Sequence, residues 1–141
     1  MKVLFKRFHK DAVIPYRTHE IDGGWDVVVT EIEETNPWEV VCKLGFGVAV
    51  PEGYKLTIVP RSSLTKSYWM LQNTPALIDA SYRGEIILKF KVIIGYQDFP
   101  YKPGDRIAQC YLEEVLPMEF IEVDELGETD RGKGGFGSTN K

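Results

Sequence analysis

The amino-acid sequence predicts an all-β domain of the sandwich or jelly-roll kind. Runs rich in β-branched and aromatic residues recur along the chain, Gly/Pro turn signals separate them, and only one short segment has helical character. At 141 residues the chain is long enough for one domain that buries roughly two-thirds of its unfolded surface. Its 43% hydrophobic and 27% charged residues are a globular composition, not a disordered one.

The elements follow in chain order. Residues 25–32 and 38–42 are rich in β-branched residues and predict two strands. Residues 47–50 and 54–59 predict two more, joined by the turn Pro51-Glu-Gly53. Residues 62–67 are the helical exception, a single turn that a serine could cap. Residues 85–94 place Ile86, Leu88, Phe90, Val92 and Ile94 on one face and Lys89 and Lys91 on the other, the period-2 pattern of a half-buried strand. After the turn Lys102-Pro-Gly-Asp105, residues 106–112 predict a strand, and residues 120–123 a last short one. Composition shifts near Gly127. Residues 1–126 are therefore expected to form the core, and residues 127–141 a flexible glycine-rich C-terminal arm.

The net charge of -4 argues against a general nucleic-acid binder, which needs a basic face. It leaves a nucleotide open, because a few placed cations and a divalent ion can balance phosphates. Cys42 and Cys110 form no CxxC unit and no zinc spacing, and each lies in an apolar run expected to bury a free thiol. The N-terminal residues are too broken by charge for a signal peptide, and no apolar run approaches a membrane span. These features predict a soluble cytoplasmic protein, encoded by a cell or a virus, with neither nucleic acid nor membrane as partner.

Five polar segments, punctuated by Gly or Pro, could carry chemistry. In the tail, glycines let backbone N–H groups approach an anion. Arg131 could clamp a phosphate, Phe136 could lie on a flat ring, and Ser138 and Thr139 could donate to oxygens; a frayed terminus has the same composition. Asp22-Gly-Gly-Trp-Asp26 is a tight turn opening a strand, or a loop with a solvated aspartate. Pro60-Arg-Ser-Ser63 puts an arginine and two hydroxyls at a helical start, suited to an anion or simply to capping. In residues 73–85, Asp79 follows Leu77 and Ile78 at a strand end. There it could deprotonate a water, or merely stabilise a turn. Gln109 in Gly104-Asp-Arg-Ile-Ala-Gln109 needs a partner for a partly buried amide, which ligand or backbone could supply.

Taken in order, the five segments resemble the five motifs of the trimeric deoxyuridine triphosphatase (dUTPase) family. Gly24-Trp-Asp26 is similar to motif one, Pro60-Arg-Ser-Ser63 to motif two and Ala76-Leu-Ile-Asp-Ala-Ser-Tyr-Arg-Gly-Glu85 to motif three. Gly104-Asp-Arg-Ile-Ala-Gln109 is similar to motif four, and residues 131–139 to motif five. Trp25 and the Val27-Val28-Val29 run replace smaller residues usual in motif one, and Ala76 stands where glycine is more usual. The resemblance implies a dUTPase-like jelly-roll β-barrel with at most one short helix. It also implies a homotrimer with active sites at subunit interfaces, and an arm that closes over a neighbour's site.

The implied reaction cleaves dUTP between its α and β phosphates, giving dUMP and pyrophosphate, with Mg2+ on the triphosphate. By the same resemblance Asp79 activates the attacking water. Arg61, Ser62, Ser63 and Gln109 contact phosphate, and Arg131 and Ser138 hold the γ phosphate. Phe136, followed by Gly137, stacks on uracil, while Asn73 and the backbone around Leu77 and Ile78 read its edge. Tyr82 packs under deoxyribose and leaves no room for a 2′-hydroxyl. Asp26 reaches the metal through water and orients Arg61. Two alternatives share the scaffold: a dCTP deaminase and a regulatory trimer that binds dUTP. The first typically lacks an aromatic glycine-rich tail such as Gly134-Gly-Phe-Gly137, and an intact Asp79, Arg61 and Arg131 set speaks against the second.

Overall fold

The computed structural model of the chain describes residues 1–135. Ten strands occur among them: β1 Leu4–Arg7, β2 Trp25–Val28, β3 Glu31–Asn36, β4 Glu39–Lys43, β5 Phe46–Ala49, β6 Tyr54–Pro60, β7 Trp69–Leu71, β8 Ala76–Ile78, β9 Ile87–Val92 and β10 Arg106–Glu114. They form two four-stranded sheets, ordered β2-β10-β6-β8 and β3-β4-β9-β7, and a two-stranded ribbon, β1-β5. Every pairing is antiparallel. Both sheets feed one core, in which Phe46, Phe90, Ile58, Leu88 and Ile107 are fully buried. The architecture is jelly-roll-like, and among the described residues no strand ladder joins the two four-stranded sheets, which share one side-chain core.

β9 follows its sequence pattern closely. Leu88, Phe90 and Val92 are buried, and Ile87, Lys89 and Lys91 face outward. The strand stops at Val92, so Ile94, expected on the inner face, is 65% exposed. The single strand expected over residues 25–32 is two strands in different sheets. At the break, Val29 N–H donates to the Asp105 carbonyl at 3.0 Å and Thr30 N–H to the Lys43 carbonyl at 2.9 Å. The chain changes sheets there, which a run of β-branched residues does not reveal, because that residue type suits either sheet.

Residues 120–123 form no strand, and Phe120 is 88% exposed. An extended segment becomes a strand only when a neighbour supplies a ladder, and among the described residues no strand pairs with this one. The helical segment is a 3₁₀ turn, Ser62–Lys66, preceded by Arg61 at the cap position and without a side-chain cap bond. The expected serine cap is not made; the Ser63 hydroxyl instead lies 3.1 Å from the Tyr101 hydroxyl. β1 escaped sequence reading because Lys6 and Arg7 obscure its alternation, and β7 and β8 are only three residues long. Both cysteines are free and buried, as their apolar surroundings predict.

Candidate active site

The polar centre of one sheet is Asp26, on β2 and only 4% exposed. The β10 register sets Gln109 opposite Asp26 on one side and Val59 of β6 on the other, and Arg61 follows the end of β6. This convergence explains the hydrogen bonding. Oδ1 of Asp26 accepts from Gln109 Nε2 at 3.2 Å and forms an ion pair with Arg61 Nε at 3.1 Å, while Oδ2 accepts from Arg106 Nη1 at 2.8 Å. Asp26 is therefore no solvated loop residue, and the partner that Gln109 requires is its carboxylate. Gly24 makes room for this contact, since a Cβ there would lie 3.1 Å from the Gln109 side chain.

One carboxylate between two guanidinium groups leaves this three-residue cluster with one net positive charge. Arg61 and Arg106 keep 26% and 38% of their side-chain surface exposed, so the charge is available to an anion. Ser62 and Ser63 sit exposed on the adjoining 3₁₀ turn. Arg106 is the member that sequence reading missed. Its signal was its place three residues before Gln109 in the same motif, where it also reaches the Thr18 hydroxyl at 3.1 Å.

A second group surrounds Asp79. β8 pairs with β6, and Asp79 emerges exposed at its end. Leu77, Ile78, Asp79, Tyr82, Glu85, Ile86 and Ile87 line a cleft of about 200 Å³. Complete small-molecule sites run to roughly 300–1,000 Å³, so this cleft is part of a site. Asn73 fixes its base: the amide nitrogen donates to the Ile87 carbonyl at 3.1 Å, and its oxygen accepts from Lys89 N–H at 2.9 Å. These two bonds leave Asn73 one N–H and one oxygen lone pair beyond β9. The Tyr82 hydroxyl donates to the Glu85 carbonyl at 2.8 Å, which holds its ring across the turn.

The two groups do not meet within one chain. Ile78 faces Leu56, five residues before Arg61. At about 3.3 Å per residue, the Ile78 end of the cleft and Arg61 of the cationic centre lie roughly 16 Å apart along β6. Arg131 is exposed in a turn and donates through Nε to the Gly134 carbonyl at 3.0 Å. Phe136, Gly137 and Ser138 lie outside the described residues. Among the described residues no three His, Cys, Asp or Glu side chains group as metal ligands, and no helix is long and apolar enough to cross a membrane.

Comparison with known proteins agrees with the ordered motifs. The dUTPase family model matches residues 10–140. The deoxyuridine 5'-triphosphate nucleotidohydrolase of Wolinella succinogenes is 40% identical over all of this chain and 95% of its own length. That of Helicobacter pylori strain P12 is 38% identical over 99% of this chain and 97% of its own. Among solved structures, the dUTPase of Staphylococcus bacteriophage 80alpha with dUPNHPP superposes with a TM-score of 0.80 at 26% identity, covering 97% of each chain.

Proposed function

This chain belongs to the dUTPase family and is a dUTP nucleotidohydrolase; from that premise we propose that its working site is assembled between subunits of a homotrimer. The observation that carries the proposal is the separation of Asp79 from the Asp26–Arg61–Arg106 centre along β6. Asp79 must hold its water about 3–3.5 Å from the α phosphorus, and the Arg61 end of the cradle that would grip the phosphates lies roughly 16 Å along β6 from this hairpin, a separation that favours a cradle from another copy. A neighbouring copy can bring its cradle to this hairpin. The exposed apolar residues Leu116, Met118, Phe120, Ile121 and Leu126 also call for a covering surface.

In the proposed reaction, uracil and deoxyribose occupy the Leu77–Ile87 cleft, with the sugar against the Tyr82 ring. Hydrogen bonding of the uracil edge to Asn73 and the Leu77–Ile78 backbone rejects cytosine, because the mismatch would leave buried polar groups unpaired. Arg61, Ser62, Ser63 and Gln109 of a neighbour align the triphosphate. Asp79 takes a proton from water as its oxygen bonds to the α phosphorus, and the bond to the β-phosphate oxygen breaks to release pyrophosphate. Residues 127–141 act as an arm, with Arg131 and Ser138 on the γ phosphate and Phe136 over the base.

Mg2+ fits this arrangement as an ion carried by the triphosphate. Both oxygens of Asp26 are already engaged by Arg61, Gln109 and Arg106, which suits contact with a metal through water better than direct ligation. The ion would neutralise phosphate charge. The test is pyrophosphate release from dUTP, dCTP, UTP and dTTP, with and without magnesium. Strong preference for dUTP, dependent on magnesium, is expected. Equal rates on all four, or release of ammonia from dCTP, overturns the proposal.

A further inference from the structure

The turn that carries Asp79 and Tyr82 is fastened to the body of the protein through Glu85 and Ile86, which line the same cleft but have been given no role in the reaction. A carboxylate oxygen of Glu85 accepts from Gly45 N–H at 2.9 Å, across 40 residues of sequence. Gly45 is itself buried at φ +71°, in a left-handed bend that would press any Cβ to 2.8 Å from His9 and Thr30. It is therefore a fixed donor. Next to it, Ile86 N–H donates to the Phe46 carbonyl at 2.9 Å, and Leu44 N–H to the Ile86 carbonyl at 3.1 Å. Two residues on, Gly47 lets the Gly84 carbonyl seat directly on β5; a Cβ there would stand 2.6 Å from that oxygen and 2.7 Å from the Phe8 ring. Gly84 in turn leaves the space that the Tyr82 hydroxyl fills on its way to the Glu85 carbonyl.

We propose that Glu85, latched to the Gly45 N–H, is a positioning residue that sets the Tyr82 ring and Asp79 at the sugar end of the cleft, and so sharpens the choice of deoxyribose over ribose. This rests on the hydrolase reading above. The physical reason is leverage. Between Asp79 and Ile86 the turn holds itself only by the contact of Tyr82 N–H with the Asp79 carbonyl at 3.0 Å, the Tyr82 hydroxyl bond and the Arg83 contacts to its own backbone. All of these move with the turn. The Glu85–Gly45 bond and the Gly47 seat fix it to the sheet, and a displacement of about 1 Å at a reacting group costs on the order of 100-fold in rate.

The experiment compares Glu85→Ala, Glu85→Gln and Gly47→Ala with the wild-type protein. It measures dUTP and UTP turnover and amide hydrogen exchange at Gly45, Tyr82 and Ile86, with thermal melts to certify folding. Glu85→Ala is expected to lower kcat about 10–100-fold, narrow the dUTP preference over UTP about tenfold and speed exchange at the three amides. Glu85→Gln keeps an acceptor oxygen and recovers most of the loss. Gly47→Ala reproduces the Glu85→Ala pattern through a different atom. Unchanged exchange in Glu85→Ala overturns the latch, and faster exchange with unchanged sugar preference overturns its positioning role. A glutamine variant as impaired as the alanine one also overturns it, because charge, not the bond to Gly45, would then be acting. Wild-type protein inert toward dUTP would sink the hydrolase reading and with it the role in sugar choice, whereas the exchange data would still decide whether the bond holds the turn.

Discussion

Two variants that are each inactive should restore one another when mixed. Asp79→Asn removes the proposed proton acceptor from the hairpin, where the side chain is exposed. Arg61→Gln removes one cation from the phosphate cradle but leaves Arg106 and Gln109 on Asp26. On the proposed shared site, the hairpin and the cradle of one chain, roughly 16 Å apart along β6, serve different sites. In an equal mixture that reassorts at random, half the hairpins come from the Arg61→Gln chain with Asp79 intact, and half the cradles from the Asp79→Asn chain with Arg61 intact. About one quarter of the sites are then complete, and activity should return to about a quarter of wild type. The assay is pyrophosphate release from dUTP after the two proteins are denatured together and refolded, against each refolded alone. No recovery, with both variants folded and assembled, refutes the shared site, because a site within one chain cannot be repaired by mixing.

Asp26→Asn leaves Arg61 and Arg106 without a counter-charge and should cost about 2–3 kcal/mol, less than a fully buried pair because both arginines are partly exposed. A thermal melt should show a Tm about 5–10 °C lower; an unchanged Tm denies Asp26 its structural role. Burial pushes the Cys42 and Cys110 thiols from 9.0 up to about 12. The unfolded chain therefore loses these protons first, and stability that is complete below pH 9 falls between pH 9 and 12, by about 1.4 kcal/mol per pH unit for each thiol. Urea unfolding across that range should be steeper in pH for the wild type than for the Cys42→Ala/Cys110→Ala variant; parallel slopes contradict it. Removal of residues 127–141 should leave the melting temperature within a few degrees, because residues 127–133 are exposed, while dUTP hydrolysis collapses. Full activity in the truncated protein dismisses the arm.

The sequence was most informative where a residue's setting is local. The alternation in residues 86–92 names the inner face of β9, because a strand buried on one side imposes period 2 on its own residues. Gln109 could be seen to need a partner, since a half-buried amide cannot go unpaired, but that partner is 83 residues away. The strand over residues 25–32 was visible as β-forming and misread as continuous, because the switch of sheets at Val29 and Thr30 depends on Asp105 and Lys43. Phe120 and Ile121 looked like strand residues for the same reason, since propensity does not say whether an edge is waiting.

By itself, then, the sequence determined the fold class, the order of the polar motifs and the kinds of group each can contribute. All of these follow from residue type and short-range spacing. Only the tertiary structure decided that one buried carboxylate gathers Arg61, Arg106 and Gln109, that Glu85 reaches Gly45, and that Asp79 stands at the far end of β6 from the cations. Those relations are set by strand register and sheet order, which join residues 35 to 83 positions apart through hydrogen bonds and an ion pair that no local pattern encodes.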